Sequence, residues 1–498
     1  MIGPGGLAVN CEPWIPMRWP CGPLDIAEGR RRQGFTVVEA DALERWSAPE
    51  TLEILAGTPV NCLVVTWAEG SEGDGAHQQA VAPLVIAARR RGLSVVGWVA
   101  AETDLRAAAA SARASGLDAL ATESSAPVPG FDVLRFRDLG IAERSPVGFL
   151  GVVGAAWPGL KVNLDSFLDA QSGPTGPPWI DSNAWYVRLA RDLLRPNSIW
   201  LSFDPDETGR PVPAASYVLA IADSEVYGAR WVISLDPHLR LGLCEGKPSA
   251  RETWAAITRG VTFFGEHRAW GNYRPVAHLG VISEFAGGKE SLSLEVLNLL
   301  ARQGSAYRVV ERSQALETSL DGLRAVLFLD GAPPDAVLVE KLDTFVREGG
   351  TLITPPGWEE RGTLQEDAWP LRFRVLRHGR GRLAVAREGF SDPPVLAQDA
   401  RLLMSHRHDP VRVFNAGAAL SHYCLSKDRG SGVLHLVRFV SRYYRMPVTA
   451  WFRRAWTSAR VWCPDATEAR PCERKVVDSG VEFSLESVPE YCALEVSA

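Results

Sequence analysis

Acidic residues recur at one kind of place along this chain, immediately after short runs of apolar and β-branched residues. Glu69 follows 61–67, Glu102 follows 93–99, Glu123 follows 117–122, Asp138 follows 131–136, Asp204 and Asp206 follow 198–203, and Asp236 follows 230–235. If those runs are parallel strands, their carboxyl ends open onto loops that vary without disturbing a core, and that face is where chemistry is built. Two carboxyl groups there, one protonated and one ionised, supply a general acid together with a base or nucleophile. Asp181, in Trp179-Ile180-Asp181-Ser182-Asn183, is a further candidate. Structural roles compete with these. Asp181 suits the N-cap of a helix over 183–194, and Asp204 and Asp206 flank Pro205 in a turn-forming stretch.

Aromatic residues mark the same face. Trp67, Trp98, Trp157 and Trp179 fall at or just beyond the ends of such runs, where an indole would line a pocket. Asn163, Asn183 and Arg188 lie in the same loop region as candidate partners for a ligand's hydroxyl groups. Seventeen tryptophans against nine tyrosines and four methionines is an unusual balance, although indole is also a large core filler and that role is the commoner one. Other constellations carry less. Ser405-His406-Arg407-His408-Asp409 has a ligand-like spacing without a third ligand nearby, Gly287-Gly288 and Gly349-Gly350 lack the GxGxxG spacing, and no GxSxG elbow is present. The reading is therefore no metal and no cofactor.

Those side chains need elements to position them. At 498 residues the chain is long enough for two or three domains. Its 46% apolar and 22% charged residues are those of a folded protein, and a net charge of −6 gives no field for phosphate backbones, so nucleic acid is not expected as a partner. Apolar runs such as 147–157 are broken by glycine and fall far short of the ~20 residues of a bilayer span, so no membrane is expected. Eight cysteines without a CxxC pair, and no signal-like amino end, point to a reduced, cytoplasmic setting.

From 34 to 270, runs of strand type alternate with stretches of helical period. Eight runs, at 35–38, 61–67, 93–99, 117–122, 131–136, 147–154, 198–203 and 230–235, predict a (β/α)8 barrel over 1–272. Helices are expected at 77–91, 104–115, 183–194, 214–227 and 250–267. The run at 35–38 could equally open a helix, with the first strand nearer Ala8 or Trp14, and the link between 131 and 147 is short for a crossover helix. Over 273–358 strands at 276–282, 307–310, 325–329 and 351–354 with helices at 292–303 and 336–348 predict a small doubly wound α/β domain. The rest, 359–498, reads as a linker followed by short strands forming a β-sandwich.

That order of domains, together with GVISEF at 280–285, AVLFLDG at 325–331, FVREGGTLITPPG at 345–357, PVTAW at 447–451 and ARVW at 459–462, resembles the β-galactosidases that carry a trimerisation domain. It also resembles a wider set of bacterial glycoside hydrolases with an amidotransferase-like domain, whose signature looks like GPTGPPWIDSNAW at 173–185. In true amidotransferases a nucleophilic cysteine follows a strand of the α/β domain. Here the matching strand ends Leu329-Asp330-Gly331 and 276–356 holds no cysteine, so glutamine hydrolysis is excluded and packing in a dimer or trimer is the implied role.

The resemblance implies hydrolysis of a small glycoside or oligosaccharide. One carboxylic acid protonates the leaving oxygen and a carboxylate acts from the other face of the sugar. In the retaining barrel glycosidases the acid/base follows strand four and the nucleophile strand seven, which carries over to Glu123 and Asp204. Two departures stand against this: the asparagine that usually precedes the acid/base is absent, and the nucleophile is usually glutamate. Asp236 and Asp181 remain competitors, and a non-catalytic carbohydrate-binding or assembly protein on such a scaffold is the alternative.

Overall fold

In a computed structural model, residues 2–3, 6–9, 12–31, 36–124, 126–138, 151–153, 157–161, 163–164, 170–171, 179–193, 199–205, 211–286, 290–331, 334–361, 363–364, 372–439, 447–486 and 488–498 are described. The chain divides into two compact units. One comprises Met1–Gly140, Ser145–Pro158 and Leu194–His267, the other Ile141–Arg144, Gly159–Leu193 and Arg268–Ala498.

The first unit carries one sheet of eight parallel strands in chain order: β1 (Pro16–Arg18), β2 (Cys62–Ala68), β3 (Ser94–Val99), β4 (Ala119–Thr122), β5 (Val133–Asp138), β6 (Gly151–Val153), β7 (Trp200–Leu201) and β8 (Arg230–Trp231). The outer strands meet. Met17 bridges Ile233 in parallel, the Arg18 N–H donates to the Ile233 carbonyl at 2.8 Å, and the Ile233 N–H donates to the Pro16 carbonyl at 2.9 Å. Helices α1 (Gly22–Arg31), α2 (Val37–Trp46), α3 (Asp74–Arg90), α4 (Leu105–Ser115), α5 (Ala214–Glu225), α6 (Pro237–Cys244) and α7 (Pro248–Glu266) lie between or after the strands. Residues 139–150, the link expected to be short, are outside the described residues.

The strand expected at 35–38 is corrected. Residues 37–38 open α2, whose cap Thr36 accepts a hydrogen bond from the Glu39 N–H at 3.2 Å, and Phe35 lies outside the described residues. Thr followed three residues later by Glu is a helix-start pairing that outweighs two adjacent valines. The first strand, at 16–18, replaces it, so the numbering of the later strands is unchanged.

Alternation along the strands sorts side chains between two environments. Val64, Val96, Ala119, Ala121, Leu134, Trp200 and Val232 form one buried cluster with Trp14, fed by strands across the whole sheet. Residues of the opposite parity meet the helices. At Gly97 a Cβ would sit 2.9 Å from that of Trp67 and 2.6 Å from a Leu117 methyl, so no larger residue fits between β3 and its covering layer.

The second unit contains a sheet in the order Tyr307–Glu311, Leu279–Ser283, Ala325–Phe328, Thr351–Thr354 and Gly381–Ala386, all parallel, extended by antiparallel Phe373–His378 and Thr363–Leu364. Strand Gly381–Ala386, read from the sequence with the closing β region, belongs to this sheet. Two antiparallel sheets follow, one built around Ala419–Leu425, Ser431–Arg438, Tyr491–Ser497 and Ser458–Trp462, the other from Val411–Phe414, Val448–Phe452, Gly480–Leu485 and Glu473–Val477. Tyr423, Leu434, Phe452, Trp456, Phe483 and Leu494 join their inner faces in one core. Helix Ala184–Leu193 groups with this unit by its contacts.

His278, beside the start of Leu279–Ser283, is buried with neither ring nitrogen hydrogen-bonded; Asp409 Oδ1 is 3.8 Å away. Burial lowers its pKa to about 4, with Arg401, His408 and Arg453 adding to the effect against the attraction of Asp409. The fold thus holds the neutral ring, whereas the unfolded chain takes up a proton near pH 6.5. The stability due to this group is whole above that pH and is lost as pH falls toward 4. In thermal unfolding series from pH 7 to pH 4, the wild-type melting temperature should fall more steeply than that of His278→Leu.

Candidate active site

A cavity of about 600 Å³ opens within the first unit, lined from the strand ends and from α1, α2 and the first turn of α6. Its floor is a closed polar network. Arg18, the last residue of β1, donates through Nη2 to Asp25 Oδ1 at 3.0 Å and to Thr66 Oγ1 at 2.7 Å, while Thr66 Oγ1 donates to the same carboxylate oxygen at 2.7 Å. The Cys21 N–H donates to Asp25 Oδ2 at 2.7 Å. Burial lowers the Arg18 pKa, but Asp25 and then Asp204 outweigh it and leave the guanidinium above its ordinary value. A half-buried guanidinium thus sits against a buried carboxylate whose two oxygens both accept hydrogen bonds, which offsets the cost of withdrawing that charge from water. His77 ties this floor down from α3. Its Nδ1 accepts from the Leu24 N–H at 3.1 Å, which leaves the proton on Nε2 for the Thr66 carbonyl at 2.9 Å.

Glu123 and Asp204 both line this cavity, from the loops that follow β4 and β7. Both side chains are exposed to it. The loop carrying Glu123 is clamped by Arg135 of β5, whose two terminal nitrogens donate to the carbonyls of Ser124 and Ala126. Asp204 Oδ1 accepts from the hydroxyl of Ser234, a buried residue beyond β8, and Asp204 attracts the guanidinium groups of both Arg18 and Arg240. Glu69 also lines the cavity but is paired with Arg31 at 3.2 Å, and its backbone N–H is held by Asp74 Oδ1 at 3.1 Å. Asp236 lines the wall with its carboxylate engaged. It caps α6 by accepting from the Leu239 N–H at 3.0 Å, and its other oxygen accepts from the Tyr217 hydroxyl at 2.8 Å and the Val212 N–H at 3.3 Å. The Pro237 that follows it, at the first helical position, is the sequence signal for that cap.

The tryptophans divide by parity. Trp98 lines the cavity. Thr66 of β2 pairs with Trp98 of β3 in the sheet, so the neighbouring Trp67 faces the opposite way. It is fully buried, its indole N–H directed to Ser111 Oγ at 3.0 Å on α4, and this corrects the expectation that it lines a pocket. Trp157 likewise packs edge-on against Tyr217 and Trp231, at centroid distances of 5.5 and 5.6 Å, and is absent from the cavity lining. Asp206 is outside the described residues.

The remaining expected site residues belong to the second unit. Asp181 closes a short strand, Trp179–Asp181, and its charge acts on Arg302. Asn183 is buried at the start of helix Ala184–Leu193, where its carbonyl accepts from the Val187 N–H at 2.8 Å. The Arg188 guanidinium lies 4.5 Å from the Tyr307 ring centroid and 3.2 Å from His422 Nδ1. Asn163 and Trp179 lie in paired strands, Asn163 opposite Gln171 and Trp179 opposite Lys161; their side chains are outside what is described. In the α/β sheet, Asp330 accepts from Ser283 Oγ at 2.7 Å and the Glu284 N–H at 3.1 Å. Among the described residues no group of three His, Cys, Asp or Glu side chains is arranged to hold a metal ion, and no helix is long and apolar enough to cross a membrane.

Sequence reading missed Arg18, Asp25, Thr66, Glu39, Ser234 and Arg240 in this lining. Arg18 was discoverable as the carboxyl-terminal residue of the first strand once that strand is put at 16–18. Arg240 leaves a weaker trace, the one arginine in the mostly apolar helix Pro237–Cys244.

No protein-family model matches the chain and no curated protein matches it. Among solved structures, α-L-fucosidase isoenzyme 2 from Paenibacillus thiaminolyticus matches 97% of this chain and 99% of its own, at 12% identity and a TM-score of 0.57. An exo-β-1,4-mannosidase from Opitutaceae bacterium strain TAV5 matches over 75% and 91%, at 12% identity and a TM-score of 0.46. A β-galactosidase from Bacillus circulans sp. alkalophilus matches over 84% and 67%, at 11% identity and a TM-score of 0.45. The first of these extends over nearly the whole of both chains, and the chain shares the fold of that fucosidase.

Proposed function

We propose that this protein is a glycoside hydrolase whose first unit is a (β/α)8 barrel, with Glu123 as acid/base and Asp204 as nucleophile. The observation that carries the reading is that loops after the fourth and seventh parallel strands bring these two acids to one cavity beside Trp98. Closure between β1 and the chain just beyond β8 supports the barrel, and the two antiparallel sheets over one core support a β-sandwich at the carboxyl end. The full-length likeness to a fucosidase supports a carbohydrate substrate.

In this mechanism Asp204 attacks the anomeric carbon as the bond to the leaving oxygen breaks, and Glu123 gives that oxygen its proton. Glu123, now ionised, then takes a proton from water, which attacks the glycosyl–Asp204 ester and releases both sugar and carboxylate. The hydroxyl of Ser234 fixes one oxygen of Asp204 and leaves the other for attack. Of the acids that line this cavity, Asp236 is engaged as a helix cap, which supports the Glu123–Asp204 pair over one that includes it.

On a panel of aryl glycosides, Glu123→Gln and Asp204→Asn should each lose kcat by a factor of about 10² or more while retaining the wild-type melting temperature. Wild-type rates in both variants would overturn the assignment, and sugar binding without turnover by the wild type would favour a carbohydrate-binding protein instead. Arg135→Met tests the clamp on the Glu123 loop. As a positioning residue, its loss should lower kcat and shift the acidic-to-basic limb of the pH profile, whereas a purely structural role would move only the melting temperature.

A further inference from the structure

Arg240 stands apart from the other cations of the cavity. It lies on the first turn of α6, lines the cavity, and is only 5% exposed, yet its sheltered Nε and Nη1 atoms meet no hydrogen-bond acceptor. Arg18 by contrast is bound by Asp25 and Thr66, and Arg31 by Glu69. Asp204, Asp25, Asp236 and Glu39 all attract Arg240, but none accepts a hydrogen bond from it. Nε and Nη1 have no surface that a ligand can touch, but Nη2 is not sheltered in that way and donates to no acceptor among the described residues, so it is the nitrogen left to meet a ligand's oxygen atoms in the cavity.

The charge around it says which oxygens. Seven carboxylates against three guanidinium groups line the cavity, so a second anion entering beside Asp204 would meet a surplus of like charge. A hydroxyl group has no such conflict, since it accepts from a guanidinium and donates to a carboxylate at once. We infer that Arg240 is a specificity-determining residue that donates hydrogen bonds to the hydroxyl oxygens of an uncharged sugar held beside Asp204, and that acidic sugars are excluded. This rests on the glycosidase reading for the kind of molecule the cavity takes.

Calorimetric titration at pH 7 tests it, with D-galactose, D-glucose, D-mannose and L-fucose as neutral probes and D-galacturonate and D-glucuronate as acidic ones, against wild type, Arg240→Met and Arg240→Lys. The wild type should bind at least one neutral sugar and neither uronate. Arg240→Met should bind that sugar about 10-fold or more weakly in a variant that still folds, as its melting transition checks, because the donor to the sugar's hydroxyl oxygens has been removed. Arg240→Lys, which keeps the charge without the planar fork, should also bind more weakly. Wild-type affinity in either folded variant, or a uronate bound as tightly as a neutral sugar, would overturn the inference. Unchanged KM for aryl glycosides in an active Arg240→Met enzyme would sink this inference alone, whereas a wild type that neither binds nor hydrolyses any of these sugars would remove the glycosidase reading with it.

Discussion

The floor of the cavity is organised by one ion pair, a half-buried arginine on a buried aspartate. Arg18 and Asp25 sit 3.0 Å apart where β1 ends and α1 begins, and Thr66 closes the pair from β2. The Asp25 carboxylate is the charge most in need of a partner, because a buried ion left alone loses more solvation than a protein interior returns. Paired, they join the first strand, the first helix and the second strand in one polar floor, and His77 of α3 adds a further tie by holding both the Leu24 N–H and the Thr66 carbonyl. Glu69, Glu123, Asp204 and Asp236 line the same cavity as this floor.

A second constraint divides the acids by what their local chain requires of them. Asp236 is followed by proline and opens a helix, so the free N–H groups of the first turn claim its carboxylate. Asp74 is claimed in the same manner by the tight turn of residues 69–71. Glu123 and Asp204 follow strands without opening a described helix, and their carboxylates reach the cavity instead. The division between structural and chemical carboxylates thus comes from whether helix amides lie within reach. Acidity alone does not decide it.

This division explains what could be read in advance. The strand rhythm was legible because parallel buried strands are short, β-branched and separated by helical stretches, and the rule that chemistry gathers at strand ends picked out a set of acids of which Glu69, Glu123, Asp204 and Asp236 line one cavity. What failed was one step finer. Trp67 and Trp98 look alike in sequence, and only the pairing of Thr66 with Trp98 reveals that the two indoles face opposite layers. The valines at 37 and 38 suggested a strand where Thr36 and Glu39 dictate a helix, and that shift hid Arg18 at the end of the true first strand. Arg240 was invisible for a different reason: a lone arginine in a short helix is ordinary until its unmatched donors and the cavity beside it are seen together.

The central claim is that Asp204 attacks the sugar carbon across a cavity shared with Glu123. Its most direct test is trapping with a panel of activated 2-deoxy-2-fluoro glycosides, followed by proteolysis and mass spectrometry of the labelled protein. The account predicts a single glycosyl adduct on the peptide that contains Asp204, absent from Asp204→Asn. An adduct on another carboxylate, or hydrolysis of the parent glycosides with no adduct formed from any fluorinated analogue, would contradict it.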